Sequence, residues 1–292
     1  MQLARSLRRL LWPGALVVLR CAACCADGAG IETRPRLLGG GAPSDCRLQP
    51  GGESTVLSVA GPQTLRLADG RFVRLAEILA PAPALPGLDP SAAATAYLRQ
   101  AAVGKKVEVK FGGTQRDRYG VYIGHVYVAG EPALWLQEGL VASGLALVFP
   151  QVDNHACAKR LLAAEGDARD GKRGHWGLAY FKVLKARDAR SILNLMQTYQ
   201  IVEGTAMRAS ESGGRITLHF GEDKYGFTAI IEPPARKWIA DKQTPGKWEG
   251  LAVRIRGWIE KRRGPSLSAS LPEQIEFLPP LSNVRRPPLS AQ

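Results

Sequence analysis

Arg74 and Glu77 stand close together in the chain, and Asp117-Arg118-Tyr119-Gly120 is a second place where charge, an aromatic ring and a turn glycine meet. A carboxylate and a guanidinium in one small region suit a hard cation or a phosphate. The expected role of Glu77 is nevertheless a structural carboxylate paired with a nearby arginine, while Arg74 suits such a pair and a phosphate contact equally. If Glu77 lies on a strand, it points to the same face as Leu79. Asp117 reads as the cap of the turn that Tyr119-Gly120 completes. A third group is Arg254 and Arg256, which alternate on one expected strand face, with Trp258 continuing that face. On a small barrel, basic and aromatic side chains can hold phosphates and stack bases. They can also be a core Trp and arginines paired with Glu232, Glu249 or Glu260, and Phe220 and Tyr225 near a turn share that ambiguity. The four histidines, His125, His155, His175 and His219, lack HxxxH-type ligand spacing. The order of residues gives no Ser–His–Asp arrangement and no phosphate-cradling Gly loop.

The five cysteines divide into two groups. Cys21, Cys24 and Cys25 lie in an N-terminal segment with Arg5, Arg8 and Arg9 ahead of an apolar Leu10–Leu19 run and small residues beyond it. That is the pattern of a cleavable export signal over residues 1–26, although Arg20 interrupts the apolar stretch. The run is too short for an ordinary membrane span. A lipid anchor at Cys24 is the weaker alternative, because Cys21 stands where such a signal normally carries Leu. After cleavage, Cys46 and Cys157 remain, an even number as expected in an oxidising compartment, and they are expected to form a disulfide, two unrelated buried thiols being the alternative. Neither has a CxxC neighbour, which argues against a zinc site. The expected location is periplasmic or secreted, with no integral membrane span after signal removal.

The elements that must position these residues are mostly strands. Residues 27–51, rich in Gly, Pro and Arg, read as a flexible lead. Short β-branched or alternating runs follow at 54–59, 64–67, 72–78, 105–111 and 121–128, with helices at 91–103, 132–143 and 156–172. Residues 179–195 read as a linker. A second series of strands covers 199–209, 215–220, 227–232, 251–260 and 267–278, with a short helix at 235–241. Five strands with a helix between the third and fourth is the pattern of an OB-fold barrel. The tail 281–292 reads as unstructured. The composition, 45% hydrophobic and 22% charged, excludes a wholly disordered or fibrous chain. The net charge of +13 favours anionic partners, but no segment is a dense polycationic tail.

The ordered set Gly61-Pro62-Gln63-Thr64-Leu65-Arg66-Leu67, Asp69-Gly70-Arg71, Val73-Arg74-Leu75, Ala80-Pro81, Asp117-Arg118-Tyr119-Gly120, Leu140–Ala146 and His175-Trp176 resembles the thermonuclease family over about residues 52–178. The resemblance implies a staphylococcal-nuclease-like domain, an OB-fold barrel with three helices, so the fold class is a β-rich α+β protein with a second five-stranded OB-like barrel at 196–280. Val253–Trp258 and Pro272–Glu276 resemble, less specifically, OB-like domains appended to some bacterial members.

The family's chemistry uses calcium, a glutamate base and phosphate-binding arginines. Here the resemblance places Gln63 and Leu79 at the two calcium aspartates, Ala82 at the base and Val121 at the second arginine, leaving Arg74 as the one remnant catalytic position. Gln63 offers a neutral oxygen and Leu79 none, so no calcium site and no cofactor is expected. A missing general base alone is worth about 10²–10⁴ in rate. The favoured reading is an exported protein with a degenerate nuclease site that binds nucleic acid or another partner, with Arg254, Arg256 and Trp258 as candidate binding residues. Two readings stay open beside it: a weak phosphodiesterase with a rearranged site, and an envelope protein-interaction scaffold.

Overall fold

A computed structural model describes residues 46–81, 89–222, 224–237 and 245–279. The expected signal, most of the lead, Ala82 and the C-terminal tail lie outside these residues.

The first half is a closed five-stranded barrel. A long strand, β1 (Gln49–Gly61), pairs along its later part with β2 (Thr64–Leu67) and along its earlier part with β5 (Lys106–Phe111). Register shifts between Pro50 and Glu53 and between Val56 and Ser58 bend it, which lets one strand serve two neighbours. β2 pairs with β3 (Phe72–Leu75), and β3 closes the barrel by running parallel to β6 (Tyr122–Val128), itself paired with β5. Alternation follows from the sequence: Leu65, Leu67, Val73, Leu75, Val107 and Val109 point inward and are fully buried. Each such side chain contributes about 1.5–3 kcal/mol on burial.

Three helices pack on the barrel. In α1 (Ser91–Ala102) the buried residues Ala94, Tyr97, Leu98, Ala101 and Ala102 recur at helical spacing, and the Asp89 carboxylate accepts from Ser91 N–H at 2.9 Å at its start. A two-residue strand β7 (Leu134–Trp135) leads into α2 (Leu136–Ala142), which is buried throughout. Its Gly139 lies under Tyr97, where an added Cβ would sit 1.9 Å from the Tyr97 hydroxyl. Gly144, at φ +69°, turns the chain after α2 so closely that a Cβ there would meet Arg173 O at 2.1 Å. Short strands β4 (Ile78–Leu79) and β8 (Leu147–Val148) pair beside α3 (Ala158–Asp170).

The segment expected to be a linker is structured. β9 (Val183–Lys185) runs parallel to β10 (Tyr199–Thr205), with α4 (Ala189–Leu193) between them. Three residues, two of them apolar between Lys182 and Lys185, carry too little periodicity to be read as a strand. The expected lead is shorter than its composition suggests, since Gln49–Gly51 already belongs to β1 and Gly51 packs against Phe111.

In the second half the expected strand 199–209 bends at Ala206 into β10 and β11 (Arg208–Ser212), which join different sheets. β11 pairs with β12 (Arg215–His219), β12 with β13 (Thr228–Ile231), and β13 runs parallel to β16 (Pro265–Ala269), which pairs with β15 (Glu260–Lys261). α5 (Pro233–Lys237) follows β13, and β14 (Ala252–Trp258) pairs with β10 and with β17 (Ile275–Phe277). The expected single strand 267–278 is broken because Pro272 has no N–H and the Gln274 side chain accepts instead from Ser270 and Leu271 N–H at 2.8 and 3.0 Å.

Residues of both halves share a core: Leu147, Ala168 and Trp176 pack with Phe181, Tyr199 and Ile201, and Leu79 lies against them. Among the described residues no helix is long and apolar enough to cross a membrane.

Candidate functional site

The positions singled out on the first barrel come together. The turn after β1 carries Gln63, whose Oε1 accepts from Ala80 N–H at 2.8 Å, while its backbone carbonyl accepts from Leu75 N–H at 2.9 Å. Gln63 and the Leu79–Ala80 segment are therefore neighbours in space although distant in sequence. Leu79 is half-buried in β4, facing Leu147 across the ladder and packing on the core shared by the two halves.

Arg74, on β3, forms an ion pair with Asp117. Asp117 also caps the turn that follows it: its Oδ1 accepts from Tyr119 N–H at 2.9 Å and Val121 N–H at 3.0 Å. Burial acts to raise the Asp117 pKa, but these two backbone donors and the Arg74 charge outweigh it and hold the carboxyl below its ordinary value.

Glu77 is not on a strand. It occupies a left-handed turn, φ +62°, between β3 and β4, and its buried side chain points inward rather than beside Leu79. Its carboxylate accepts from Cys157 N–H at 3.0 and 3.2 Å and lies 3.2 Å from His125 Nε2. An arginine partner was the expectation from sequence, and a buried histidine takes that place. The Cys46 and Cys157 sulfurs lie at disulfide distance with Cα atoms 4.9 Å apart, as the pairing from sequence anticipated.

Arg254, Arg256 and Trp258 do share one face of β14, opposite Glu203, Ile201 and Tyr199 of β10. Arg256 reaches toward the first half, whereas Arg254 is paired within the second. Arg254 donates to Glu203 at 2.8 and 3.1 Å and to Glu276 at 3.0 Å. Arg256 is only 1% exposed, with its guanidinium 2.7 Å from both Glu165 and Glu276, and it donates to Val148 O at 3.3 Å. Its guanidinium is withdrawn from solvent, so the expected role in holding a ligand phosphate is corrected to an internal ion pair. Burial alone would lower the Arg256 pKa, and the adjacent Glu165 more than reverses this. Trp258 remains 45% exposed, edge-on to Tyr199 and Phe149 beside a cleft of about 430 Å³ that Leu79, Pro81, Tyr180 and Lys182 also line. Phe220 is buried against Phe227, whereas Tyr225 is exposed.

The sequence reading missed a cationic and aromatic surface on the first barrel. Arg116 stacks on Tyr122 at 4.2 Å, Arg118 on Tyr119 at 4.8 Å, and Arg66 on Phe72 at 6.0 Å. Tyr119 is 74% exposed, and a shallow cleft lined by Asp69, Arg71, Phe72, Tyr119 and Tyr122 connects the rings. The signal was present in the charges flanking Tyr119 and Phe72. Glu165 was also missed, although it lies four residues after Leu161 on the buried face of α3.

A mostly β chain whose first half is a closed five-stranded barrel carrying helices defines the class. Residues 72–177 match the family model described as staphylococcal nuclease homologue. Over those residues the first half is thus a staphylococcal-nuclease-like domain. No curated protein matches the chain.

Proposed function

We propose that this is an exported thermonuclease-like protein with a degenerate nuclease site, which binds nucleic acid without calcium-dependent hydrolysis and whose second half is an OB-like barrel. The observation that carries the reading is the engagement of the two calcium-position residues. Gln63 is committed to the Ala80 amide, and Leu79 to an apolar core. Calcium takes six to eight oxygen ligands, usually including carboxylates, and these side chains provide neither charge nor a free oxygen. The remaining arginine, Arg74, is neutralised by Asp117.

Nucleic-acid binding is supported by the Arg66–Phe72, Arg116–Tyr122 and Arg118–Tyr119 pairs. Base stacking on an exposed ring is worth about 1–3 kcal/mol, and arginines supply the salt-dependent phosphate attraction. The OB-like reading of the second half rests on its strand pairings, which repeat those of the first barrel, including the parallel pair β13–β16 in the place of β3–β6. Export is supported by the residue pattern of 1–26 and by the Cys46–Cys157 pair.

The test is a fluorescence-anisotropy titration of labelled single-stranded and duplex oligonucleotides in EDTA at several salt concentrations. Affinity should fall with salt, by roughly one log unit per log unit of salt for each phosphate contacted. The triple variant Arg116→Ala, Arg118→Ala, Tyr119→Ala should bind about tenfold or more weakly. Absence of binding at low salt would defeat the proposal.

A further inference from the structure

Three ligand-type side chains converge on one buried point that the nuclease-like reading does not use, with the disulfide partner of one of them beside it. Ligand atoms of Glu77, His125 and Cys157 all lie within 4.8 Å of one another, and the Cys46 sulfur sits against that of Cys157. They arrive from separate places: the chain before β1, the turn after β3, the middle of β6 and the start of α3.

Ordinary packing does not account for these groups. His125 is fully buried, and neither ring nitrogen makes a well-aligned hydrogen bond: Nδ1 has none, and Nε2 has only the Glu77 carboxylate 3.2 Å away, although buried polar atoms are nearly always satisfied. The Glu77 carboxylate beside it is also fully buried, and Glu77 holds a positive φ that L-residues rarely adopt. The histidine is fixed in place from outside. Gln137 of α2 brackets it, donating to Gly124 O at 2.8 Å and accepting from Val126 N–H at 3.2 Å. Such strain and rigidity around unsatisfied ligand atoms point to a bound group.

We propose that, once the Cys46–Cys157 bond is reduced, Cys46, Cys157, His125 and Glu77 form a tetrahedral site for a borderline-soft divalent cation, with zinc the fitting ion. A dithiol reductant delivers two electrons and two protons to the disulfide, giving two thiols and leaving as a cyclic disulfide. The incoming cation displaces both thiol protons and is held by two thiolates, the imidazole and the carboxylate. Zinc bond lengths of about 2.0–2.3 Å imply ligand separations of roughly 3.3–3.8 Å. The 3.2 Å Glu77–His125 spacing and the 4.8 Å limit for three of the ligands bracket that range, and the Cys46 thiol, released from Cys157 by reduction, would swing in as the fourth. The disulfide and the metal would each tie the chain before β1 to α3, as alternative links in oxidising and reducing surroundings.

The experiment uses the full chain with Cys21, Cys24 and Cys25 changed to Ser, so that Cys46 and Cys157 are the only thiols. The protein is titrated anaerobically with cobalt(II) and with zinc, oxidised and after reduction by a phosphine that is then removed. Reduced protein should take up about one metal ion per chain and show the thiolate-to-cobalt charge-transfer band of a tetrahedral site. Oxidised protein should show no such band. His125→Gln and Glu77→Gln should each weaken zinc binding about tenfold or more, and Cys157→Ser should abolish the band. Circular dichroism follows folding throughout. A reduced chain that unfolds and is restored by zinc supports the site, since metal and folding are then coupled. Failure of reduced protein to bind, equal binding by oxidised protein, binding unaffected by His125→Gln, or a reduced chain that zinc does not restore would each overturn it.

Discussion

Arg256 of β14 and Glu165 of α3 form an ion pair at 2.7 Å in which both side chains are essentially inaccessible to water, joining the two halves of the protein. Val148 secures both partners, donating its N–H to Glu165 at 2.7 Å and accepting from Arg256 through its carbonyl. Removing one member of such a pair strands the other charge without solvent.

Arg256→Ala should therefore cost about 3–5 kcal/mol in urea unfolding. The double variant Arg256→Met, Glu165→Gln should recover a large part of that loss, because it buries no lone charge. A single variant within about 1 kcal/mol of the parent would show that the pair is solvated in solution.

Purified protein should lack calcium-dependent DNase activity. The combined change Gln63→Asp, Leu79→Asp, Ala82→Glu and Val121→Arg should confer calcium binding detectable by calorimetry, since the first two positions already adjoin through the Gln63–Ala80 hydrogen bond. EDTA-sensitive cleavage by the parent that tracks the protein through size exclusion and disappears in Arg74→Ala would refute the degenerate-site reading.

Replacing both Cys46 and Cys157 by Ser should destabilise the oxidised protein in metal-free buffer. The bond spans a sequence separation of 111 residues, for which the chain-entropy estimate is roughly 4–5 kcal/mol. The measurement is the urea midpoint of the oxidised parent against the double variant, and equal midpoints would show that the bond does not form or does not constrain the unfolded chain.

Stability should fall in acid. Burial acts to raise the pKa of Glu203 and Glu276, but Lys185 and Arg254 around the first, and Arg256 and Arg254 around the second, hold both below the ordinary 4.5. The unfolded chain then binds more protons, so this stabilisation is complete above the unfolded pKa and is lost as pH falls through the folded values. Burial likewise depresses His175 below 6.5, which adds a loss of the same sign beginning nearer neutrality. Urea midpoints should decrease from about pH 7 to about pH 4, and Glu276→Gln should flatten the lower part of the curve. A midpoint that rises on acidification contradicts these assignments.

Strand alternation made the first barrel legible in the sequence, because inward Leu and Val residues repeat with period two and glycine turns separate them. The ordered motifs then located Gln63 and Leu79 as neighbours. Less legible was whatever depends on contacts between distant segments. Arg254, Arg256 and Trp258 do lie on one strand face, but nothing local shows that Glu165 of α3 meets Arg256 there. Glu77 looked like a strand residue because it lies between β-forming neighbours, and nothing local shows its left-handed turn at φ +62°. The nearness of Glu77 and His125 to Cys157 was equally invisible, since spacing rules describe residues of one loop and these three come from three segments.

The strand β9 has a consequence for how the chain can be divided. It belongs by sequence to the stretch between the halves, yet it completes a sheet of the second half, while Phe181, just before it, fills the seam against Trp176. A cut after the barrel would leave Leu79, Leu147 and Trp176 facing water, and a cut before β10 would remove an edge from the sheet. The two halves resemble beads on a string only in sequence. Heating should melt them in one calorimetric transition, as a single cooperative unit.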